Sequence, residues 1–173
     1  MIESLYNLPL LSLLIATLPV GAALIWIIPD PRAARWVALV VALIDLSLVL
    51  LMLSGFDSNI GEFQYVETVA WIPTLNINYV MGIDGITVLF LPLTIVLFIG
   101  VILSSWNSIH SMPRLYYMLL LLLESTTLGV FCSLDTILFF LFWELTLIPL
   151  YFLISLWGIG PNRRHAAVKY TMF

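Results

Sequence analysis

The stretch "LLLLLESTTLGVFCSLDTILFFLFWELTLIPLYFLISLWG", residues 119 to 158, decides the fold. It contains two long apolar runs separated by the short polar segment CSLD at 132–135. A helix that crosses a membrane needs about 20 mostly apolar residues, and each run with its flanks meets that length. Each run also carries one carboxylic acid, Glu124 in the first and Glu144 in the second. The stretch therefore predicts a transmembrane helical hairpin with an acid in each arm.

The rest of the chain has the same character. Its 173 residues are 62% hydrophobic and only 9% charged, whereas soluble domains carry about 25% charged residues. The pattern predicts an all-α, polytopic transmembrane helix bundle. The long connection at 55–84 contains TLNINY (74–79), whose alternation of apolar and polar residues predicts a small β-hairpin on the membrane surface. The predicted spans are roughly 5–28, 35–54, 85–106, 114–134 and 136–157, and a sixth begins near Ala166.

The basic residues lie in alternate loops, which predicts the orientation of the bundle. The loops between them, together with the N-terminus, carry acids and no Lys or Arg. By the positive-inside rule the basic loops are cytoplasmic, so the N-terminus and the loop 55–84 are expected to be periplasmic. The basic set is Arg32, Arg35, Arg114, Arg163, Arg164 and Lys169, and the acidic set is Glu3, Asp57, Glu62, Glu67, Asp84 and Asp135.

Composition excludes several functions. There is no basic run interleaved with aromatic residues of the kind that binds nucleic acid. The single cysteine, Cys132, cannot form an internal disulfide or supply an iron–sulfur or zinc site, and is interpreted as a packed apolar residue. No nucleotide-binding motif is present. The sequence therefore predicts neither a metal site nor a cofactor site in this chain.

Three acids fall inside predicted spans: Asp45, Glu124 and Glu144. A charged residue at the middle of a bilayer costs roughly 2.5–3.5 kcal/mol on insertion scales, so such residues tend to be functional. The alternative for each is a protonated acid that is hydrogen-bonded inside the bundle. For Asp45 both interpretations stay open, because no nearby residue supports a role. Asp135, at the turn of the hairpin, is a further, weaker candidate.

Glu124 and Glu144 are expected to share a depth. They lie ten residues on either side of the centre of the turn. This places both roughly 15 Å from the membrane surface at which the turn lies. Tyr117 and Tyr151 are each seven residues from their glutamate, and therefore on its face of the helix. Ser155 extends the stripe of Glu144. The pattern predicts polar lines that run toward the cytoplasm, although tyrosines near an interface also serve as membrane anchors.

Pro149 strengthens the case for Glu144. A proline cannot donate to the carbonyl four residues earlier, here that of Leu145, so the helix is expected to bend. In a membrane the freed carbonyl needs a neighbour or a water as its partner. A hydrated kink next to an acid suits proton transfer, whereas the alternative is a simple packing kink. Because no complete span contains Lys or Arg, burial favours the neutral form of both glutamates, and we expect a basic partner on a later helix to switch the proton.

The residues quoted above also resemble a known family. Together with GIDGITVLF (82–90) and RRHAAVKYTMF (163–173), the stretch 119–158 closely resembles chain M of bacterial respiratory NADH:quinone oxidoreductase, the equivalent of chain 4 of mitochondrial complex I. The resemblance is strong from about residue 80 to residue 173. The combination GVFCSLD…FWE…IP is far more specific than hydropathy alone.

The resemblance implies an antiporter-like fold with two inverted repeats, each containing a broken helix. It implies a proton-translocating subunit of the bacterial inner membrane, with other membrane-arm subunits as partners. NADH, FMN, iron–sulfur clusters and quinone would belong to other subunits. Glu144 matches the family's key carboxylate, which pairs with a lysine on a later helix, and Glu124 matches a second intramembrane glutamate. Lys169 is not expected to be that lysine, because it lies near the basic loop.

The resemblance also implies how the chain is organised. Residues 1–84 would form two N-terminal helices and a periplasmic loop, and residues 85–173 would begin the proton-translocating repeat. A sixth span that stops early predicts a fragment of a longer subunit. Two alternatives stay open: a subunit of a multisubunit cation/proton antiporter or membrane-bound hydrogenase, and a purely structural membrane subunit with satisfied buried acids.

Overall fold

A computed structural model describes residues 9–75 and 77–172. Glu3, the first residues of the predicted first span and Asn76 of the predicted strand lie outside this described part. Within it, five helices are long and apolar enough to cross a membrane, which confirms the predicted helix bundle. The helices are α1 Leu10–Ile27, α2 Pro31–Gly55, α3 Thr87–Ser104, α4 Pro113–Cys132, α5 Thr136–Trp157 and α6 Arg163–Met172, and the strands are β1 Gln64–Ile72 and β2 Ile77–Ile83.

Two helices begin earlier than predicted. The second span was predicted to begin at residue 35, but α2 already starts at Pro31. The Asp30 carboxylate accepts a hydrogen bond from the backbone N–H of Arg32 at 2.8 Å, and a proline is well suited to the first position of a helix. The sixth helix begins at Arg163 rather than near Ala166. In both cases local polar residues extend a helix beyond its apolar part.

The core lies between α1, α2 and α4, which pack against one another, while α3 packs on α2 and α4 and α5 packs on α4 and α6. Small residues allow the helices to approach closely. A Cβ atom at Gly21 of α1 would lie 2.8 Å from the side chain of Val41 in α2, and one at Gly129 of α4 would clash with the ring of Phe142 in α5. These glycines set the spacing of neighbouring helices.

A proline in α1 creates the main polar contact of this core. Pro19 has no N–H, so the carbonyl of Ile15 loses its partner within the helix. The hydroxyl of Ser125 in α4, buried in the core, donates to that carbonyl at 2.8 Å. Since lipid offers no donor, this serine supplies what α1 lacks and ties the two helices together.

The two antiparallel strands form a hairpin that is tied to α1. The Glu67 carboxylate of β1 accepts from the backbone N–H of Leu11 at 2.7 Å and of Ser12 at 3.1 Å, and from the Ser12 hydroxyl. The Tyr79 hydroxyl of β2 lies 2.8 Å from the same Ser12 oxygen. Burial raises the pKa of Tyr79, and the nearby Glu67 carboxylate raises it further, so the phenol keeps its proton. Glu67 thus caps the free N–H groups at the start of α1.

The hairpin also contacts α2 and the turn between α4 and α5. Tyr65 adopts a left-handed backbone conformation with φ of 53°, and its hydroxyl donates to the Met52 carbonyl of α2 at 3.0 Å. The N–H of Leu134 donates to the Val80 carbonyl of β2 at 2.9 Å. The predicted hairpin is therefore confirmed, and it clamps one end of the bundle.

Arginines hold the opposite end. Arg35 donates to the carbonyl of Trp106 at 2.9 Å and lies over its ring, with 5.4 Å from the guanidinium carbon to the ring centre. Arg114 donates to the carbonyls of Ile25 and Trp26 in the last turn of α1. Cations at helix C-termini satisfy free carbonyls and oppose the helix dipole. Arg35 and Arg114 thus both lie at the end away from the hairpin.

Replacing Ser125 with Ala is expected to destabilise the protein by about 1 kcal/mol, within the range of measured hydrogen bonds between membrane helices. The loss should largely disappear in a Pro19→Ala background, because residue 19 then donates to the Ile15 carbonyl itself. Thermal unfolding in detergent micelles measures both effects. Thr127→Ala is the control, since the Thr127 hydroxyl bonds the Leu123 carbonyl of its own helix. Equal losses in both backgrounds would contradict this interpretation.

Replacing Glu67 with Ala leaves the donors of Leu11 and Ser12 without their acceptor. A loss of about 1.4 kcal/mol, within the range for an unsatisfied group, corresponds to a tenfold faster amide exchange through local opening. We expect this increase in β1 and β2, as measured by hydrogen–deuterium exchange. Glu67→Gln keeps one acceptor oxygen and should give an intermediate rate. Exchange that stays at the wild-type rate in Glu67→Ala would show that the carboxylate does not hold the hairpin.

Candidate functional site

Glu144 lies on the outer face of α5, the least buried of the five long helices. The sequence predicted a buried acid, but its side chain is exposed within the described chain. The reason is that α5 packs mainly on α4 and α6, and Glu144 lies on a part of its surface that α4 does not cover. Its carboxylate is therefore accessible from the side of α6.

Two cavities meet at Glu144. The first, of about 480 Å³, is also lined by Tyr151 and by Thr171 of α6. The second, of about 750 Å³, is lined by Glu144, Lys169 and Thr171. The predicted line from Glu144 to Tyr151 therefore borders a single space. Ser155, the next member of that stripe, is buried and lines neither cavity.

Lys169 shares a cavity with Glu144, which the sequence did not predict. It was placed near the basic loop because the sixth helix was expected to begin near Ala166. With α6 starting at Arg163, Lys169 lies further along the helix and faces α5. The early start of α6 at RRHAAVK is the signal that would have found it.

Pro149 lies on a different face of α5 from Glu144. It is buried and lines a cavity of about 620 Å³ together with Pro19 of α1 and Ser125 of α4. Leu145, whose carbonyl Pro149 leaves free, lines the same cavity. Leu145 also lines the cavity at Glu144, so it borders both spaces, and the predicted role of the kink beside the acid stays a prediction.

Glu124 is fully buried and lines neither of the two cavities at Glu144. Both of its carboxylate oxygens are buried without a hydrogen-bond partner. Its electrostatic neighbour is Asp45 of α2, also fully buried. Asp45 contacts the hydroxyl of Thr17 in α1, a residue that the sequence analysis missed although it is polar within an apolar helix. The acid that lies near Glu124 in the bundle is thus Asp45.

The remaining candidates have structural contacts. Tyr117, two turns from Glu124, is buried, and its hydroxyl accepts from the Ser105 hydroxyl at 3.3 Å. Asp135 caps α5 by accepting from the N–H groups of Ile137 at 2.8 Å and Leu138 at 3.1 Å, which accounts for an acid at the turn. Among residues 9–75 and 77–172, no three His, Cys, Asp or Glu side chains group as metal ligands.

Comparison of the sequence with known proteins shows which family this chain resembles. The model of the family described as NADH:quinone oxidoreductase/Mrp antiporter, transmembrane, matches residues 133–173. That segment contains all of α5 and α6, and thus Glu144 and Lys169 with the cavity between them.

Curated relatives match almost the whole chain. NAD(P)H-quinone oxidoreductase chain 4 1 from Nostoc is 39% identical over 98% of this chain and 32% of its own length. F(420)H(2) dehydrogenase subunit M from Methanosarcina mazei is 36% identical over 96% of this chain and 33% of its own length. The chain therefore spans about a third of the length of the curated relatives it matches.

Solved structures share the fold. A chain of respiratory complex I from Thermus thermophilus superposes with a TM-score of 0.77 at 22% identity, over 94% of this chain and 32% of that one. A chain of the Mrp complex from Dietzia gives 0.75 at 23% identity, over 94% of this chain and 17% of that one. These structures show the shared fold, while the family model and the curated relatives identify the chain as a member of the NADH:quinone oxidoreductase/Mrp antiporter family of transmembrane subunits.

Proposed function

We propose that the chain is part of a proton-translocating subunit in the membrane arm of an NADH:quinone oxidoreductase, in which Glu144 accepts and releases the proton. The single observation that carries this role is the cavity that Glu144 shares with Lys169. A carboxylate and an ammonium group that face one space can alternate between a charged pair and a neutral acid, depending on their separation.

Polar groups around the cavity support a proton route. Tyr151 and Thr171 line the cavity next to Glu144, and their hydroxyl groups can both donate and accept hydrogen bonds. The route would continue through Tyr151 toward the end of the bundle that carries the arginines. In this proposal Glu124 is not the next carrier, because it faces α2 rather than this cavity.

The relatives support a membrane role that does not depend on the electron donor. Those named for NAD(P)H and for F(420)H(2) match this chain at 39% and 36% identity, over nearly its full length. We infer that donor, FMN, iron–sulfur clusters and quinone are bound by other subunits. The chain itself contributes no redox chemistry to the proposal, only a coupled proton step.

We also infer how the chain is oriented in the membrane and how it divides into two parts. By the positive-inside rule the end with Arg35 and Arg114 faces the cytoplasm and the hairpin faces the periplasm of a bacterial inner membrane. Residues 85–173 would begin the proton-translocating part, and residues 1–84 would brace it. The exposed apolar face of α5 is suited to contact further helices of the subunit and its membrane-arm partners.

Replacing Glu144 with Gln is expected to reduce proton translocation to background while the complex still assembles, because an amide side chain does not ionise and so cannot take up and release the proton. Glu144→Asp keeps the acid on a shorter side chain and should retain part of the activity. A pH-sensitive dye in inside-out vesicles, energised by the electron donor, measures translocation. Electron transfer and native-gel mobility are followed in the same membranes.

Glu62→Gln is the matched control, because Glu62 is exposed in the segment that precedes β1. Full pumping in Glu144→Gln would refute the assignment and favour a structural subunit. Sodium transport that depends on Glu144 without any electron donor would favour the cation/proton antiporter alternative, whose fold this chain shares.

A further inference from the structure

A second group of acids lies inside the bundle, in the space between α1, α2 and α4. Asp45 and Glu124 are each 0% exposed. Three of their four carboxylate oxygens, Oδ2 of Asp45 and both Oε atoms of Glu124, have no hydrogen-bond partner. Burying an ionised carboxylate without a partner costs several kcal/mol or more. If both acids were ionised, these three oxygens would have no hydrogen-bond donor to offset that cost.

The contacts of the Thr17 hydroxyl indicate which group donates the hydrogen bond between Thr17 and Asp45. Its oxygen lies 2.8 Å from the Leu14 carbonyl, within hydrogen-bonding distance, and it also contacts Oδ1 of Asp45. A threonine hydroxyl has one proton to donate but can accept two hydrogen bonds, whereas the carbonyl and an ionised carboxylate can only accept. Both contacts are satisfied when Thr17 donates to Leu14 and accepts from a proton on Asp45. The donor in the second contact is then the acid itself.

Among residues 9–75 and 77–172, the charged side chains of the packed helices offer no other source for that donor. Helices α1 and α3 contain no titratable side chain over their described lengths. The arginines of the packed helices, Arg32 and Arg35 on α2 and Arg114 on α4, lie at the opposite end from the hairpin. Arg35 and Arg114 are each ten residues from the acid on their own helix, or roughly 15 Å along the axis, and Arg32 is further.

Other ionisable groups near these helices carry no positive charge. On α4, Tyr116 packs on Tyr117 and Trp157, and the buried Cys132 lies two turns beyond Glu124. On the hairpin, Glu67 and Tyr79 bind Ser12, and Tyr65 binds α2 near its C-terminal end. On α5, Glu144 and Tyr151 face the cavity shared with α6.

We propose that Asp45, Glu124 and Thr17 form a proton-binding site, separate from Glu144, in which Asp45 is a neutral carboxylic acid that donates to Thr17. A protonated acid carries an O–H donor, so the pair needs no metal or amine to be buried. Glu124 faces the same space, where burial without a hydrogen-bond partner disfavours its ionised form as well. In the proposed site both acids are therefore held in the protonated form.

Infrared difference spectroscopy tests the protonation directly. A protonated carboxylic acid has a C=O stretch that is resolved from the bands of ionised carboxylates. Spectra are recorded at neutral pH on the protein purified from its membrane, as wild type and as the variants Asp45→Asn and Glu124→Gln. Each variant is expected to lose one protonated-acid C=O band. Glu144→Gln should leave those two bands in place, which keeps this test independent of the proposed pumping role.

Thr17 provides a second readout with a matched control. Thr17→Val removes the acceptor for the Asp45 proton and should shift the Asp45 band toward that of a free acid. Thr94→Val is the control, because Thr94 is also buried and its hydroxyl bonds the Phe90 carbonyl of its own helix. No shift in Thr17→Val, or an equal shift in Thr94→Val, would overturn the assignment.

Two further outcomes would contradict the proposal. If Asp45→Asn and Glu124→Gln remove only bands of ionised carboxylates relative to wild type, the two acids are ionised. Protonated bands that disappear when sodium or potassium is added would identify a site for a monovalent cation instead. The neutral variants should unfold at about the wild-type temperature, so misfolding does not obscure either result.

Discussion

The hydrogen bond from Ser125 to the carbonyl of Ile15 is the constraint on which the interior depends. Pro19 leaves that carbonyl without a partner in α1, and in lipid only another protein group can supply the donor. Turning Ser125 toward α1 also fixes the rotation of α4 about its axis. Successive residues are about 100° apart on a helix, so Glu124 is directed toward α2 and Asp45. A proline in one helix thus determines where the acid of another helix lies.

The fold was largely predictable because lipid imposes a length on each apolar helix, and the five long helices lie within a few residues of the predicted spans. The errors occur where side chains cap a helix, as Asp30 does for α2. The hairpin was placed in the correct loop, but β1 was not predicted, since Tyr65 adopts a left-handed conformation there and its register is irregular. The contact of Glu67 with Leu11 joins residues 56 positions apart, and no local pattern reveals it.

The site was predicted less completely, for a geometric reason. Mirror positions about a tight turn predict a common depth for Glu124 and Glu144, but not a common face. Rotation about each helix axis is set by packing, which places Glu124 against α2 and Glu144 toward α6. The same limit explains why Asp45 stayed undecided: its contact, Thr17, lies 28 residues earlier on another helix.

Packing therefore gives the carboxylic acids of a single bundle two different environments. The carboxylates of Asp45 and Glu124 are closed off on all sides, so a proton bound there exchanges only when helices move. Glu144 borders open cavities with Lys169 and Thr171, so in our proposal its proton can leave through them. A subunit that moves protons needs the second kind of site for transfer. The first kind adds no net charge to the core as long as its acids stay neutral, and in our proposal it couples the proton content of the core to the packing of α1, α2 and α4.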